Sequence, residues 1–265
     1  MIPADIRAEI LHRLGNAEKE HNVRILFAIE SGSRAWGFPS PNSDYDVRFI
    51  YMREPQWYQA VDLEERRDVI EYAITDDIDL NGWDVRKALR LYWKSNPAFV
   101  EWIQSPITYL ERGAFRACAL DMLPDIYSIE NGLYHYRSIA RSNYRDYLCE
   151  PMVRLKKYFY VLRALLAARW VVNRGGAAPI EFDKLLAQLE GEPTVLAEVH
   201  RLLDQKLNAP ELGRAPAVPV LNEFIAAELA AEPVVTPREP RSPQVINMLN
   251  LLFHDTLREY AVSDR

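Results

Sequence analysis

Three acidic residues and a Gly-Ser pair are the groups in this 265-residue chain whose types and spacing could do chemistry. They fall in ESGSRAWGFPSPNSDYDV, at 30–47, and in DDIDLNGW, at 76–83. The first stretch follows VRILFAI (23–29), an apolar, β-branched run that stops abruptly, as a buried strand does. Gly32-Ser33 at that stop offers a phosphate close backbone approach and exposed N–H groups. Gly37, Pro39, Pro41 and Asn42 then mark a loop. The chain next alternates, and residues two apart on a strand share a face. Asp44 and Asp46 therefore point one way, and Tyr45, Val47 and Phe49 the other. Two carboxylates together at the start of an apolar strand repel, so something positive should sit between them.

A lone DxD is more often an acidic strand edge than a site. Here Gly32-Ser33 directly follows a strand, Ser43 precedes the first Asp, and a third acidic group arrives later. Asp77 and Asp79 share a face of that later strand; Asp79 is preferred because Ile78 and Leu80 flank it, as a buried strand requires, and Asp84 is the other neighbour to weigh. Such a set suits phosphoryl transfer with two Mg²⁺ ions, with Mn²⁺ as a possible substitute. About three carboxylates supply hard oxygen ligands and hold the ions roughly 3.5–4 Å apart. One ion binds the triphosphate and the other lowers the pKa of the attacking hydroxyl.

The elements that must position these groups change character near residue 110. Before it, strands are predicted at 23–30, 44–52, 68–74 and 77–83, with helices at about 4–20, 84–95 and 97–103. Asp84 reads as an N-cap, and Asn96-Pro97 puts proline at a first helical position. After it, helices are predicted near 112–122, 133–148, 151–173, 183–190, 194–208, 219–231 and 244–260, the last entered by the connector EPVVTPREPRSP. The expected fold is α/β: a catalytic domain over 1–110 and a helical substrate- or nucleotide-binding domain over 111–265. Cys118 and Cys149 make no disulfide framework or metal spacing, which points to a reducing cytoplasm. No apolar run approaches the length of a membrane span.

Gly32-Ser33, Ser43-Asp44-Tyr45-Asp46 and a later Asp79 resemble the signature of the DNA polymerase β nucleotidyltransferase superfamily. More narrowly, GSRAWGFPSPNSDYDVRFIY, GWDVRKALRLYWKSNPAFVEWIQSPI and KKYFYVLRALLAARW resemble the nucleotidyltransferase family associated with RNA repair. The resemblance covers most of residues 25–185. It implies a mixed, twisted sheet flanked by helices, with an NTP and Mg²⁺ at its edge. Carried over, Gly32 and Ser33 serve the triphosphate, and Asp44, Asp46 and Asp79 the metal.

Net charge is −6, yet residues 130–169 hold eight basic residues against three acidic ones. On the helix expected at 151–173, Leu155, Phe159, Leu162 and Leu166 form a core face, and Lys156, Tyr160 and Arg163 an adjoining stripe. That stripe is either a solvated flank or a wall of cations for the triphosphate, with Tyr160 to stack on a base. Arg137, Arg141 and Arg145, four apart, make a basic helix edge that with Lys157 could serve RNA phosphates. The leading expectation is nucleotide transfer from an NTP to an RNA 3′ end, with release of pyrophosphate. The alternatives are a protein or small-molecule hydroxyl as acceptor, or a catalytically silent RNA- or protein-binding module.

Overall fold

The computed structural model describes residues 2–208, 213–233 and 243–263. Helix α1 (Ala4–His21) buries Ile10, Leu14 and Ala17 and ends at Asn22, whose left-handed backbone returns its N–H to the Glu18 carbonyl. There follow β1 (Arg24–Glu30), the single turn α2 (Gly32–Ala35), β2 (Tyr45–Met52), β3 (Val69–Glu71) and β4 (Ile78–Asp84). Helices α3 (Val85–Trp93) and α4 (Pro97–Gln104) lead to β5 (Thr108–Glu111). The five strands form one mixed sheet in the order β3-β4-β2-β1-β5, in which only the β2–β4 pair is parallel. That parallel register sets Asp46 opposite Asp79.

The sheet buries both faces. Val47, Phe49 and Tyr51 of β2 pack with Ile25, Ile70, Leu80 and, from α1, Ile10 and Leu14. Ile50 and Met52 face the other way, into a larger core built with the helices. Two helix starts follow the capping signals. The Asp84 carboxylate accepts from the Arg86 N–H at 2.8 Å, and Asn96 accepts from the N–H groups of Ala98 and Phe99 ahead of Pro97.

Beyond β5 the chain is helical: α5 (Phe115–Asp121), α6 (Leu123–Ile126), α7 (Ile129–Tyr147), then β6 (Met152–Arg154) and α8 (Lys156–Arg174). After α9 (Phe182–Leu186) and α10 (Pro193–Asn208) come β7 (Arg214–Pro216), α11 (Pro219–Ala230) and α12 (Pro243–Ser263). The helix expected from residue 151 starts at Lys156, because Met152–Arg154 pairs with Arg214–Pro216 as a two-stranded ribbon. Most of the Pro-rich connector at 232–243 lies outside the described residues.

Helix α8 is apolar nearly all round, with Phe159, Leu162, Leu165, Leu166 and Val171 buried, so it runs through the interior and not over a surface. The larger core joins Phe27, Ile29 and Ile50 of the sheet to α3, α7, α8, α10 and α11 without a break near residue 110. Composition changes there; packing does not.

Candidate active site

Close packing at Gly32 organises the site. Gly32 has a left-handed backbone (φ 59°), and a Cβ built on it would stand 2.0 Å from Asp46 Oδ2. Only glycine lets β2 bring that carboxylate against the turn that ends β1. The loop after the turn is tied back by serines and an arginine. The Ser33 hydroxyl donates to Ser43 Oγ at 3.1 Å, and the Ser40 N–H donates to the same oxygen at 2.9 Å. Arg34 donates to the carbonyls of Ser43 (2.6 Å) and Asp44 (3.2 Å) and lies over the Tyr45 ring at 4.0 Å. Gly32, Ser33, Ser43, Asp44 and Asp46 are thus gathered at one end of the sheet, with Asp44 exposed and Asp46 half-buried.

A positive group is expected between Asp44 and Asp46; Arg48 stands instead between Asp46 and Asp79. Its Nη2 donates to Asp46 Oδ1 (3.2 Å) and Asp79 Oδ2 (2.7 Å). Its Nη1 donates to the carbonyls of Val47 (3.0 Å) and Asp79 (2.9 Å). Burial raises the pKa of Asp46, with Asp79 and Asp44 pushing the same way against Arg48 and Arg34. Asp79 is therefore the later acidic residue that meets Asp46. Asp77 sits exposed before β4 with a left-handed backbone (φ 58°), and Asp84 caps α3 at the far end of the strand.

Beneath them lies a carboxylate that sequence reasoning passed over. Glu30, the last residue of β1, is fully buried. One oxygen accepts from the Asp46 N–H at 3.1 Å and the other from the Tyr109 hydroxyl at 2.5 Å. Burial, the largest cause, lifts its pKa from 4.5 to about 7. A carboxyl whose folded pKa is raised binds its proton more tightly in the folded chain, so stability falls as pH climbs from about 4.5 to 7. Glu30→Gln removes that dependence. Its advantage over the wild type should grow across this window to on the order of 3 kcal/mol and then level off. Denaturant unfolding of both proteins at four pH values from 5 to 8 checks it; a constant difference would mean that Glu30 stays ionised throughout.

A cleft of about 300 Å³ opens beside these groups, lined by Ser33, Ser43, Asp44 and Asp46 on one side and by Lys156 and Tyr160 on the other. Trp36, Phe38, Ser40, Asn42 and Lys206 complete the wall. Tyr160 meets Trp36 edge-to-face at 5.4 Å, which suits a stacking surface for a base. The Trp36 indole Nε1 is buried with no hydrogen-bond partner. Lys206, from α10, is buried and stands 5.7 Å from the Phe38 ring centroid. It had no local signal, being the inward lysine of an ordinary amphipathic helix.

Two expectations about basic residues need correction. Arg163 does not line this cleft. It is buried one turn deeper, ion-paired with Glu101 Oε1 at 2.9 Å and with its guanidinium 4.5 Å from the Trp36 ring centroid. Helix α8 is too interior to present i+7 to the same space as Lys156. Arg137 is also occupied: it donates to the carbonyls of Glu228, Leu229 and Ala231, closing the C-terminal end of α11. Arg141 and Arg145 remain on the exposed side of α7, and Lys157 lies against the Tyr147 and Tyr160 rings at 3.9 and 4.8 Å.

Asp44, Asp46 and Asp79 offer carboxylate oxygens alone, the donor chemistry of Mg²⁺. Among the described residues no group of three or more His, Cys, Asp or Glu could hold a metal ion. The residues fit a cation that takes one or two carboxylates and completes its shell with phosphate and water, as Mg²⁺ commonly does.

The site thus brings together a Gly-Ser turn closing one strand, a DxD opening its neighbour and an aspartate in register on the next strand. The chain belongs to the RNA repair pathway DNA polymerase beta family, whose profile matches residues 6–255. It is 42% identical over 224 residues to the uncharacterized protein YcgL of Bacillus subtilis (strain 168), covering 84% of this chain and 85% of that one. Among solved structures it is similar to a nucleotidyltransferase-like protein from Exiguobacterium sibiricum 255-15 (11% identity, TM-score 0.31), over 89% of this chain and 74% of the other. Among the described residues no helix is long and apolar enough to cross a membrane.

Proposed function

We propose that the protein transfers a nucleotide from an NTP to the 3′ hydroxyl of an RNA, using a divalent metal. The observation that carries this reading is the cleft itself. Carboxylates and a Gly-Ser turn face Lys156, Lys206 and an aromatic edge across a space of nucleotide size. In the proposed reaction the acceptor oxygen attacks the α-phosphorus and passes its proton to solvent water. The bond from that phosphorus to the bridging oxygen breaks, and pyrophosphate leaves with the electron pair. Gly32 and Ser33 hold the triphosphate from the turn, Lys156 and Lys206 neutralise its charge, and Tyr160 supports the base. Asp44 and Asp46 hold the metal, which when bound polarises the phosphates for attack. Asp79 orients the acceptor side of the site.

RNA is favoured as acceptor because the family is one of RNA repair and because Arg141, Arg145 and Lys157 lie on the helices next to the cleft. Incubation with each labelled NTP, Mg²⁺ and either RNA or a pool of cellular hydroxyl acceptors tests it: label should pass to RNA. Removing Arg141 and Arg145 together should weaken RNA binding for all sequences alike and reduce its salt dependence by about one unit of slope per lost phosphate contact. NTP binding should hold. RNA affinity unchanged in the double Ala variant, with label passing instead to protein or to a small molecule, would replace RNA as the acceptor.

A further inference from the structure

We propose that this site takes one divalent cation and not two, because Arg48 fills the position of the second. The inference rests on the nucleotidyl-transfer reading and deepens it. A second ion that drew on both the DxD carboxylate and the third aspartate would have to stand where Asp46 and Asp79 converge. Here that position holds a guanidinium fixed at four points. Two contacts are to the carboxylates Asp46 and Asp79, at 3.2 and 2.7 Å. The other two are to main-chain carbonyls, Val47 at 3.0 Å and Asp79 at 2.9 Å. Carbonyls on paired strands do not move aside when a cation arrives, so they hold Arg48 in place whether or not the carboxylates find another partner. A second ion between Asp46 and Asp79 would have to stand against that fixed charge.

The oxygens of Asp46 divide accordingly. Oδ1 faces Arg48, while Oδ2 lies against Gly32 at the turn. The cleft is lined by Asp44 and Asp46; neither Asp79 nor Arg48 is on its wall. The side of the carboxylates open to a nucleotide therefore has room for one ion, shared by Asp44, Asp46 and the phosphates. On the other side Arg48 supplies a positive charge that needs no metal. Part of the metal requirement of a two-ion site is thus met by the polypeptide.

The test counts ions. Mn²⁺ bound per chain is measured by equilibrium dialysis, against nucleotide-only controls, with each of the four α,β-methylene NTP analogues tested singly. Wild type and Arg48→Lys, which keeps the charge, should bind one nucleotide-dependent Mn²⁺ per chain. Arg48→Met, which removes the charge and keeps the stem, should bind two, with the second at least tenfold tighter than any further binding to wild type. If Arg48→Met does not fold, Arg48→Gln replaces it. Two ions in wild type, or one in wild type and charge-free variant alike, overturns the inference and leaves the proposed reaction standing. No nucleotide-dependent Mn²⁺ with any analogue overturns the nucleotidyl-transfer reading and the inference with it.

Discussion

Asp46→Asn should reduce nucleotide transfer by roughly a thousandfold or more while the folded protein melts no lower than wild type. The two effects separate because the residue is adverse to the fold and necessary to the proposed site. Burial raises the pKa of Asp46, and Asp79 and Asp44 repel it, so its charge is a cost that Arg48 only partly offsets. The amide removes that cost and can still accept the Arg48 hydrogen bond through its oxygen. What it removes for good is an anionic ligand against the Gly32 turn, and a neutral amide binds Mg²⁺ far more weakly. Single-turnover assays with labelled NTP, together with thermal melts without metal, read both arms. Robust turnover in this variant would end the assignment of Asp46 as a metal ligand, and with it the proposed site.

The second large effect is expected from three aspartates within eight residues of chain. Asp79→Ala should leave NTP binding nearly intact and slow turnover by about a thousandfold, since the residue faces Asp46 and Arg48 away from the nucleotide cleft. Asp84→Ala should do the opposite. It loses the cap of α3 and strands the Tyr58 hydroxyl, which donates to Asp84 Oδ2 at 2.8 Å, for a cost of about 1–3 kcal/mol in stability. Asp77→Ala should cost about 1 kcal/mol, because an alanine would have to hold the left-handed backbone at that turn, with turnover near wild type. NTP affinity, single-turnover rate and melting temperature for the three variants distinguish them. A slow, stable, NTP-binding Asp77→Ala beside an active Asp79→Ala would move the third carboxylate to residue 77.

What was legible in the chain is what strand and helix periods write locally. The alternation from Asp44 to Tyr51 put both DxD carboxylates on one face, and apolar Ile78 and Leu80 favoured Asp79 over Asp77. Capping residues marked the starts of α3 and α4. The same alternation could have supplied Arg48, two residues past Asp46 on its own face; the cation expected between Asp44 and Asp46 is a different one from this arginine, which joins Asp46 to Asp79. Glu30 could have been suspected as an acid closing an apolar run. Lys206 could not, since its place in the cleft depends on how α10 packs against Phe38. Arg137 and Arg163 misled for a related reason. Spacing shows that residues share a helix face, and says nothing of whether solvent, a helix end or a buried glutamate lies against it. Strands β5, β6 and β7 were too short to carry a period.

The wall of the cleft has a consequence for the making of the protein. Its carboxylates leave the ribosome with the first 46 residues, Tyr160 follows much later, and Lys206 closes the list. At synthesis rates of about 5–20 residues per second the interval between Asp46 and Lys206 lasts roughly 8 to 32 s. Until residue 156 is made, the acidic half of the pocket exists with neither lysine that would balance a triphosphate, and Lys206 is still to follow. The early sheet therefore forms before both lysines of the cleft are present. The nascent chain assembles its sheet with Arg34 and Arg48 as the counter-charges to Asp46 when the strands first pair.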